Sequence, residues 1–219
     1  MLVNESAWIE QALGQMNVDA ITPMINLGSA TREFRRKVQP HIYHHVLMPL
    51  YERHVQVIHA DLLAGEGVDV AGSIYDSDVF EALVEHRPNA VLCSNVFEHV
   101  SDRELLAERL TRMLPAGGIL IVSVPYSFPY HPDPVDTYFR PNLDDLCALF
   151  PAFELLQGDI VECGTLIGRY RDSTRFMMYH IIGSTIPVPL GRWMRNLHHW
   201  LWLLRPYKVS CAVFRKRTV

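Results

Sequence analysis

Apolar and polar positions fall into blocks along most of the chain, and the blocks come in two lengths. Short apolar runs read as buried strands: "ITPMINLG", "VQVIHAD", "GVDVAGSI", "NAVLCSN" and "GILIVSVP". Longer stretches with helical spacing separate them. "ESAWIEQALGQM" lies ahead of the first run, "DVFEALVEH" follows the third, and "SDRELLAERLTRML" follows the fourth. Ser101 and Glu104 form a capping-box pattern at the start of that last helix. "PAGG" stops it, because Pro115 cannot continue a helix and Gly117 and Gly118 suit a turn. "NLDDLCALF" predicts one more helix, and "FELLQGDIV" and "KVSCAVFRK" two more strands. Wholly apolar strands alternating with helices predict a parallel sheet covered on both faces, an α/β three-layer sandwich.

In such sheets ligands bind where the strands end, so the residues just after each run matter most. The first run ends in Gly28 and Ser29, the second in Asp61, the third in Ser73 and Ile74. The fourth ends in Ser94 and Asn95, followed at once by Glu98 and His99, and the fifth leads into Tyr126. An acid after the second strand suits a ribose diol. A buried strand ending in small polar residues, as "VLCSNVFEHVSD" does, is expected to face a cofactor. The loop "NLGSATREF" taken alone serves equally well as a tight strand-to-helix turn.

The 219 residues suit a single domain, and 49% hydrophobic with 20% charged residues is an ordinary globular composition. Cys93, Cys147, Cys163 and Cys211 lie far apart with no CxxC pair, which points to reduced thiols and a cytoplasmic protein. "MLVNESAWIEQ" lacks the pattern of a signal peptide, and no apolar run approaches the length of a membrane span. The net charge of −4 conceals an asymmetry. Residues 1–168 carry 10 Lys+Arg against 23 Asp+Glu, whereas residues 169–219 carry 10 bases and the single acid Asp172. A basic portion folded over an acidic domain accounts for this; a surface for phosphates or an anionic membrane is the alternative.

Read in order, "NLGSAT", "ADLLAGEGVDVAGSI", "AVLCSNVFEHVSD" and "LTRMLPAGGILIVSVPYSFPYHPDPVDTYFRPNLDDL" resemble the class I S-adenosylmethionine-dependent methyltransferases. Within that class the "EHV" turn, the glycine turn after the helix and the "P…H…P.D..R" segment resemble the type 11 group. The resemblance covers residues 22–160. It implies a Rossmann-like, seven-stranded, mostly parallel sheet whose last strand, in "YKVSCAVFRK", is antiparallel. Residues 1–219 are then one methyltransferase domain, with a cofactor-binding core at 22–160 and a basic elaboration at 161–219 that completes the sheet. The implied cofactor is S-adenosyl-L-methionine, at Asn26, Gly28, Ser29, Asp61, Ser73, Ile74, Ser94 and Asn95. The sequence departs from the family at three of these places. Asn26 stands where an acid is common, Gly28, Ala30 and Arg32 stand for GxGxG, and Ser73 stands where aspartate is frequent. "VQPHIYHHVLMPLYERH" lengthens the path from Gly28 to Asp61. A non-catalytic binding protein of the same fold, its glycine loop degenerate, is therefore the rival reading. A nicotinamide oxidoreductase is disfavoured, because the loop lacks the second glycine that admits a pyrophosphate.

Methyl transfer to a hydroxyl needs alignment and a base. "PYSFPYHPDPVDTYFRP" supplies His131 as the expected base, with His99 next, and Tyr126, Asp136, Tyr138 and Arg140 to bind the acceptor. A proline-stiffened loop fixed by an Asp136–Arg140 ion pair is the plainer reading, and Glu98 and His99 then hold a turn. The expected reaction is O-methylation of a small molecule, sugar or glycan in a biosynthetic pathway, with no nucleic-acid partner. His41, His44 and His45 could share a helical face, but no acid or cysteine accompanies them at ligand spacing, so no metal is expected. Cys93 reads as a core residue. Trp193, Leu197, Trp200, Leu201 and Leu204 form a stripe, with Arg192, Arg195 and His199 elsewhere on the helix. Core or homodimer packing is its expected use, and peripheral contact with a membrane surface is the alternative.

Overall fold

The most apolar runs, MINL, AVLCS and ILIVSVP, become strands that bury both of their faces. In the computed structural model, which describes residues 1–131, 135–168, 177–178, 181 and 202–218, the strands are β1 (Met24–Leu27), β2 (Val57–Asp61), β3 (Val70–Ala71), β4 (Ala90–Ser94), β5 (Ile119–Ser127), β6 (Phe153–Glu162) and β7 (Lys208–Lys216). They form one seven-stranded sheet in the order β3-β2-β1-β4-β5-β7-β6. The first five pair in parallel, and β7 runs antiparallel between β5 and β6. The expected Rossmann-like sheet, with its last strand reversed, is the sheet observed.

Strand alternation sends residues to two cores. Ile25, Leu27, Ile58, Ala60, Val91, Cys93, Leu120 and Val122 pack under α4 (Ser77–Glu85), α5 (Arg103–Met113) and α6 (Leu143–Leu149). Met24, Ala90, Leu92, Ile119 and Ile121 pack on the opposite face beneath α1 (Val3–Gly14), whose Trp8, Ile9, Ala12 and Leu13 face inward. Full burial of each large apolar side chain contributes roughly 1.5–3 kcal/mol, which makes these alternating rows the main source of stability.

One local expectation changes. The helix α5 starts one residue later than the Ser101–Glu104 pattern implies: Asp102 is the cap, its carboxylate accepting from Leu105 N at 2.9 Å. A single-turn helix at Phe97–His99 and an extended Val100 set the chain's entry, and they bring Asp102 to the helix mouth in place of Ser101. The long segment before β2 is not one regular helix. Two π-helical stretches, Phe34–Val38 and Ile42–Leu47, are separated at Gln39 (φ −126, ψ 71) and lead into α3 (Met48–Glu52). Pro40 explains the break, since the residue before a proline avoids the helical region. His41 and His45 dock this segment on the first helix: His41 Nε2 donates to Met1 O (3.0 Å), and His45 Nδ1 pairs with Glu10 Oε2 (2.6 Å). His44 lies edge-on to Tyr43.

Trp193, Leu197, Trp200, Leu201, Arg192, Arg195 and His199 lie outside the described residues. Leu204, at the end of that stripe, is 81% exposed, whereas Trp202 is buried against Leu166 and Tyr207. Among the described residues no helix is long and apolar enough to cross a membrane.

Candidate functional site

β1 ends at Gly28, whose φ of +72 lies in the left-handed region. A Cβ there would stand 2.5 Å from Val96 Cγ2, so the loops after β1 and β4 touch only because Gly28 has no side chain. Ala30, also left-handed, donates its N–H to Asp61 Oδ2 (2.7 Å), and Leu63 N donates to Asp61 Oδ1 (3.1 Å). Asp61 thus ties the glycine turn to the end of β2. Each carboxylate oxygen has a second lone pair with which to accept a hydroxyl. Ser29 is buried and bonds the Ala30 carbonyl. Ser73 Oγ accepts from Tyr75 N (3.2 Å) and shapes the turn after β3, while Ile74 packs into the core beside it.

Beneath this loop lies a residue that nothing in the sequence marks. Arg35 is buried and its guanidinium donates to Ser29 O (3.2 Å), Ala30 O (2.6 Å) and Gly67 O (2.7 Å). Burial lowers its pKa from the ordinary arginine value. Asn26, paired in register with His59 on β2, donates Nδ2 to His59 Nδ1 (3.2 Å), and His59 Nε2 then bonds the Tyr51 hydroxyl (2.9 Å). Burial, with the Arg35 charge adding to it, pushes His59 down to about 4, so its imidazole is neutral at pH 7.

At the end of β4 the small polar residues meet a buried acid from the first helix. Glu5 is fully buried; its Oε1 accepts from Asn95 Nδ2 (2.7 Å) and Ser123 Oγ (2.6 Å), and its Oε2 from Leu2 N (2.7 Å). Ser123 Oγ shares a further bond with Ser94 Oγ (2.8 Å). Asn95 has φ 53, a conformation asparagine tolerates better than most residues. The sequence signal for Glu5 is slight: a carboxylate on the same helical stripe as Trp8, Ile9 and Ala12.

The loop after β5 is stitched onto the β4 turn. Thr137 N and Oγ1 both donate to Glu98 O (2.8 and 2.9 Å), and His99 Nδ1 donates to the Val135 carbonyl. This brings His99 and His131 together edge to face, ring centroids 5.4 Å apart. Asp136 is buried and receives both guanidinium nitrogens of Arg140 (3.0 and 2.6 Å), the His131 N–H (3.1 Å) and the Tyr138 N–H (2.9 Å). Burial works to raise the Asp136 carboxyl, but these bonds outweigh it and hold the group below the usual carboxylate range. Asp136 and Arg140 therefore hold each other and shape the loop. Tyr126 and Tyr138 are exposed, Tyr138 stacking on Tyr130 at 4.8 Å. Burial lowers His131 from its ordinary value despite Asp136 beside it, and pushes the Glu98 carboxyl up to about 8.

No protein-family model and no curated protein sequence matches the chain. Its fold, however, is that of solved structures. The cyclase SpnF superposes with a TM-score of 0.60 at 13% identity, over 98% of this chain and 81% of that one. Coclaurine N-methyltransferase, solved with N-methylheliamine and S-adenosylhomocysteine, gives 0.52 at 13% identity, over 97% and 72%. The StiE O-methyltransferase gives 0.50 at 13% identity, over 95% and 72%. The architecture is thus the class I fold of S-adenosylmethionine-dependent methyltransferases. One fold serves a cyclase, an N-methyltransferase and an O-methyltransferase, so function has to be argued from the side chains.

Proposed function

We propose that the protein is an S-adenosylmethionine-dependent methyltransferase, of the type 11 group its motifs resemble, that methylates an oxygen of a small molecule or sugar in the cytoplasm. The observation that carries this reading is the pinning of the β5 loop onto the β4 turn. It sets two imidazoles and a carboxylate next to the strand ends that bear Gly28, Ser94 and Asn95.

The residues present fit the cofactor. Gly28 keeps the first turn bare where a Cβ would collide with Val96. Asp61 stands at the end of β2 with lone pairs for a ribose diol, and Ser73 and Ile74 belong to the same site. Ser94 and Asn95 offer hydrogen bonds to the amino-acid end. Glu5 behind them supplies the negative charge that Asn26 lacks. S-adenosylmethionine supplies, when bound, a methyl group already activated by its sulfonium. A hydroxyl acceptor must lose a proton as its oxygen attacks. In this reading the neutral imidazole of His131 takes that proton, and the ring of His99 packed against it is the next candidate. The exposed rings of Tyr126 and Tyr138 line the acceptor side.

Calorimetric titration with S-adenosylmethionine and S-adenosylhomocysteine tests the donor. Transfer of a radiolabelled methyl group into pools of hydroxylated small molecules and sugars tests the reaction. His131→Ala is expected to lower turnover roughly 10²–10⁴-fold, the span typical of lost acid–base catalysis, with donor affinity unchanged. Donor binding without transfer to any hydroxyl would instead establish a non-catalytic binding protein.

A further inference from the structure

Three groups that offer lone pairs converge at the β4 turn. His99 Nδ1 bonds the Val135 carbonyl, so the ring hydrogen is on Nδ1 and the lone pair on Nε2, which lies 3.7 Å from Glu98 Oε1. His131 Nδ1 faces two acceptors, Pro129 O at 3.3 Å and Asp136 Oδ2 at 3.2 Å, so its lone pair too is left on Nε2. Glu98 is fully buried, and neither of its carboxylate oxygens has a hydrogen-bond partner among the described residues. One ligand atom from each of the three lies within 4.8 Å of the other two.

A buried carboxylate without a donor is strongly unfavourable, and native structures rarely leave one so. A proton shared between Glu98 and His99 does not resolve this, because 3.7 Å is too long for a hydrogen bond.

We propose that Glu98, His99 and His131 bind a divalent transition-metal ion. Two imidazoles and one carboxylate form a ligand set used by catalytic zinc and non-haem iron. Each imidazole is anchored through its other nitrogen to a carbonyl or carboxylate, as the outer partners of metal-bound histidines are. Asp136 is neutralised by Arg140, so it orients His131 without competing for the ion. In a tetrahedral site, ligand atoms about 2.1 Å from the ion lie about 3.4 Å apart, so the three groups, now within 4.8 Å of one another, draw in by up to about 1.4 Å to close the site. His99 and His131 keep 21% and 31% of their side-chain surface exposed, so the ion can be reached from solvent and three protein ligands leave it an open position. A bound ion would occupy the Nε2 lone pairs of both imidazoles and would itself acidify a bound hydroxyl, so the base role given to His131 above would belong to the metal-free protein. The site itself does not depend on the methyl-donor reading.

The test uses the full chain, stripped with chelator and titrated with Zn²⁺ by calorimetry and with Co²⁺ by visible absorption. The expected result is one ion per chain, not displaced by Mg²⁺ or Ca²⁺ in about 100-fold excess, since imidazole selects against those hard ions. Affinity should fall by more than about 100-fold in Glu98→Gln, His99→Ala and His131→Ala, and by about 10–100-fold in Asp136→Asn. A His44→Ala/His45→Ala variant should bind as the parent does. If an alanine variant fails to fold, His99→Asn or His131→Asn replaces it with the same expectation. Absence of stoichiometric Zn²⁺ binding, or undiminished affinity in Glu98→Gln, overturns the proposal. S-adenosylhomocysteine titrated into the same sample reads the donor separately: ion binding without donor binding removes the methyltransferase reading and leaves the metal site standing.

Discussion

Asp61 has two duties that pull in different directions. Its carboxylate holds the glycine turn through Ala30 N and the following loop through Leu63 N, and under the proposed function it also accepts from a ribose diol. Asp61→Ala should therefore weaken S-adenosylhomocysteine binding by about 1.5–3 kcal/mol, the usual worth of a hydrogen bond to a charged group. Asp61→Asn keeps the acceptor for Ala30 N and should lose less. Equal affinity in parent and alanine variant, measured by calorimetry, would take Asp61 out of the site. Single residues of this kind were legible where they end a strand. Gly28, Asp61, Ser94 and Asn95 could be picked out because an apolar run stops there. Glu5 and Arg35 could not, and neither could the burial of Glu98, although its place after the fourth run is plain in the sequence. A charged residue in a sequence is normally a solvated one, and only the packed fold shows that these three are buried.

At the scale of elements, the turn after β4 depends on one ring. Phe97 is fully buried under Glu98 and His99, and packs on Phe150 (5.8 Å) and Phe139 (6.5 Å), so it joins the β4 turn to α6 and the β5 loop. Phe97→Ala should cost about 3–5 kcal/mol, the range for emptying a buried aromatic position. The same variant should loosen the His99–His131 pair, because Phe139 lies on the loop that carries His131. Chemical denaturation reads the first effect; a loss below about 1 kcal/mol would show that the turn is held by its hydrogen bonds alone. Strands and helices were legible because burial on both faces leaves wholly apolar runs that no loop imitates. Element starts were less so. Ser101 and Asp102 are both good caps, and the choice fell to Asp102 through the geometry of the preceding turn. The inserted segment carries helical spacing throughout, and only Pro40 hinted at its division.

For the whole molecule, the large charge imbalance is answered in part by pairs across the last two strands. Lys208 meets Glu162 at 2.7 Å and Arg215 meets Glu154 at 2.6 Å. Such exposed pairs are worth at most about 1 kcal/mol each, so they align the strands more than they hold them. Global stability against acid should instead depend on His59. Its pKa is about 4 in the fold against 6.5 for the free side chain, so the unfolded chain binds the extra proton between those values. The neutral imidazole thus contributes stability that is complete above pH 6.5 and lost as pH falls toward 4, on the order of 3 kcal/mol. His59→Gln should lose that much less than the parent between pH 7 and 4 in denaturant unfolding. Identical losses would mean that His59 takes up its proton at the same pH in the folded and unfolded states.

The position of β7 also governs the order in which the sheet can assemble. Among the described residues β6 pairs with β7 alone, and residues 163–207 separate the two along the chain. Before residues 208–216 arrive, β5 and β6 present two open ladders of unpaired amides and carbonyls, the kind of edge that recruits other chains. Closing them brings together strands far apart in sequence, an entropic cost that comes due before any ladder bond is gained. One strand then seals both edges in a single event. Deletion of residues 208–216 would accordingly leave not a frayed margin but a split sheet, prone to aggregate through its own middle.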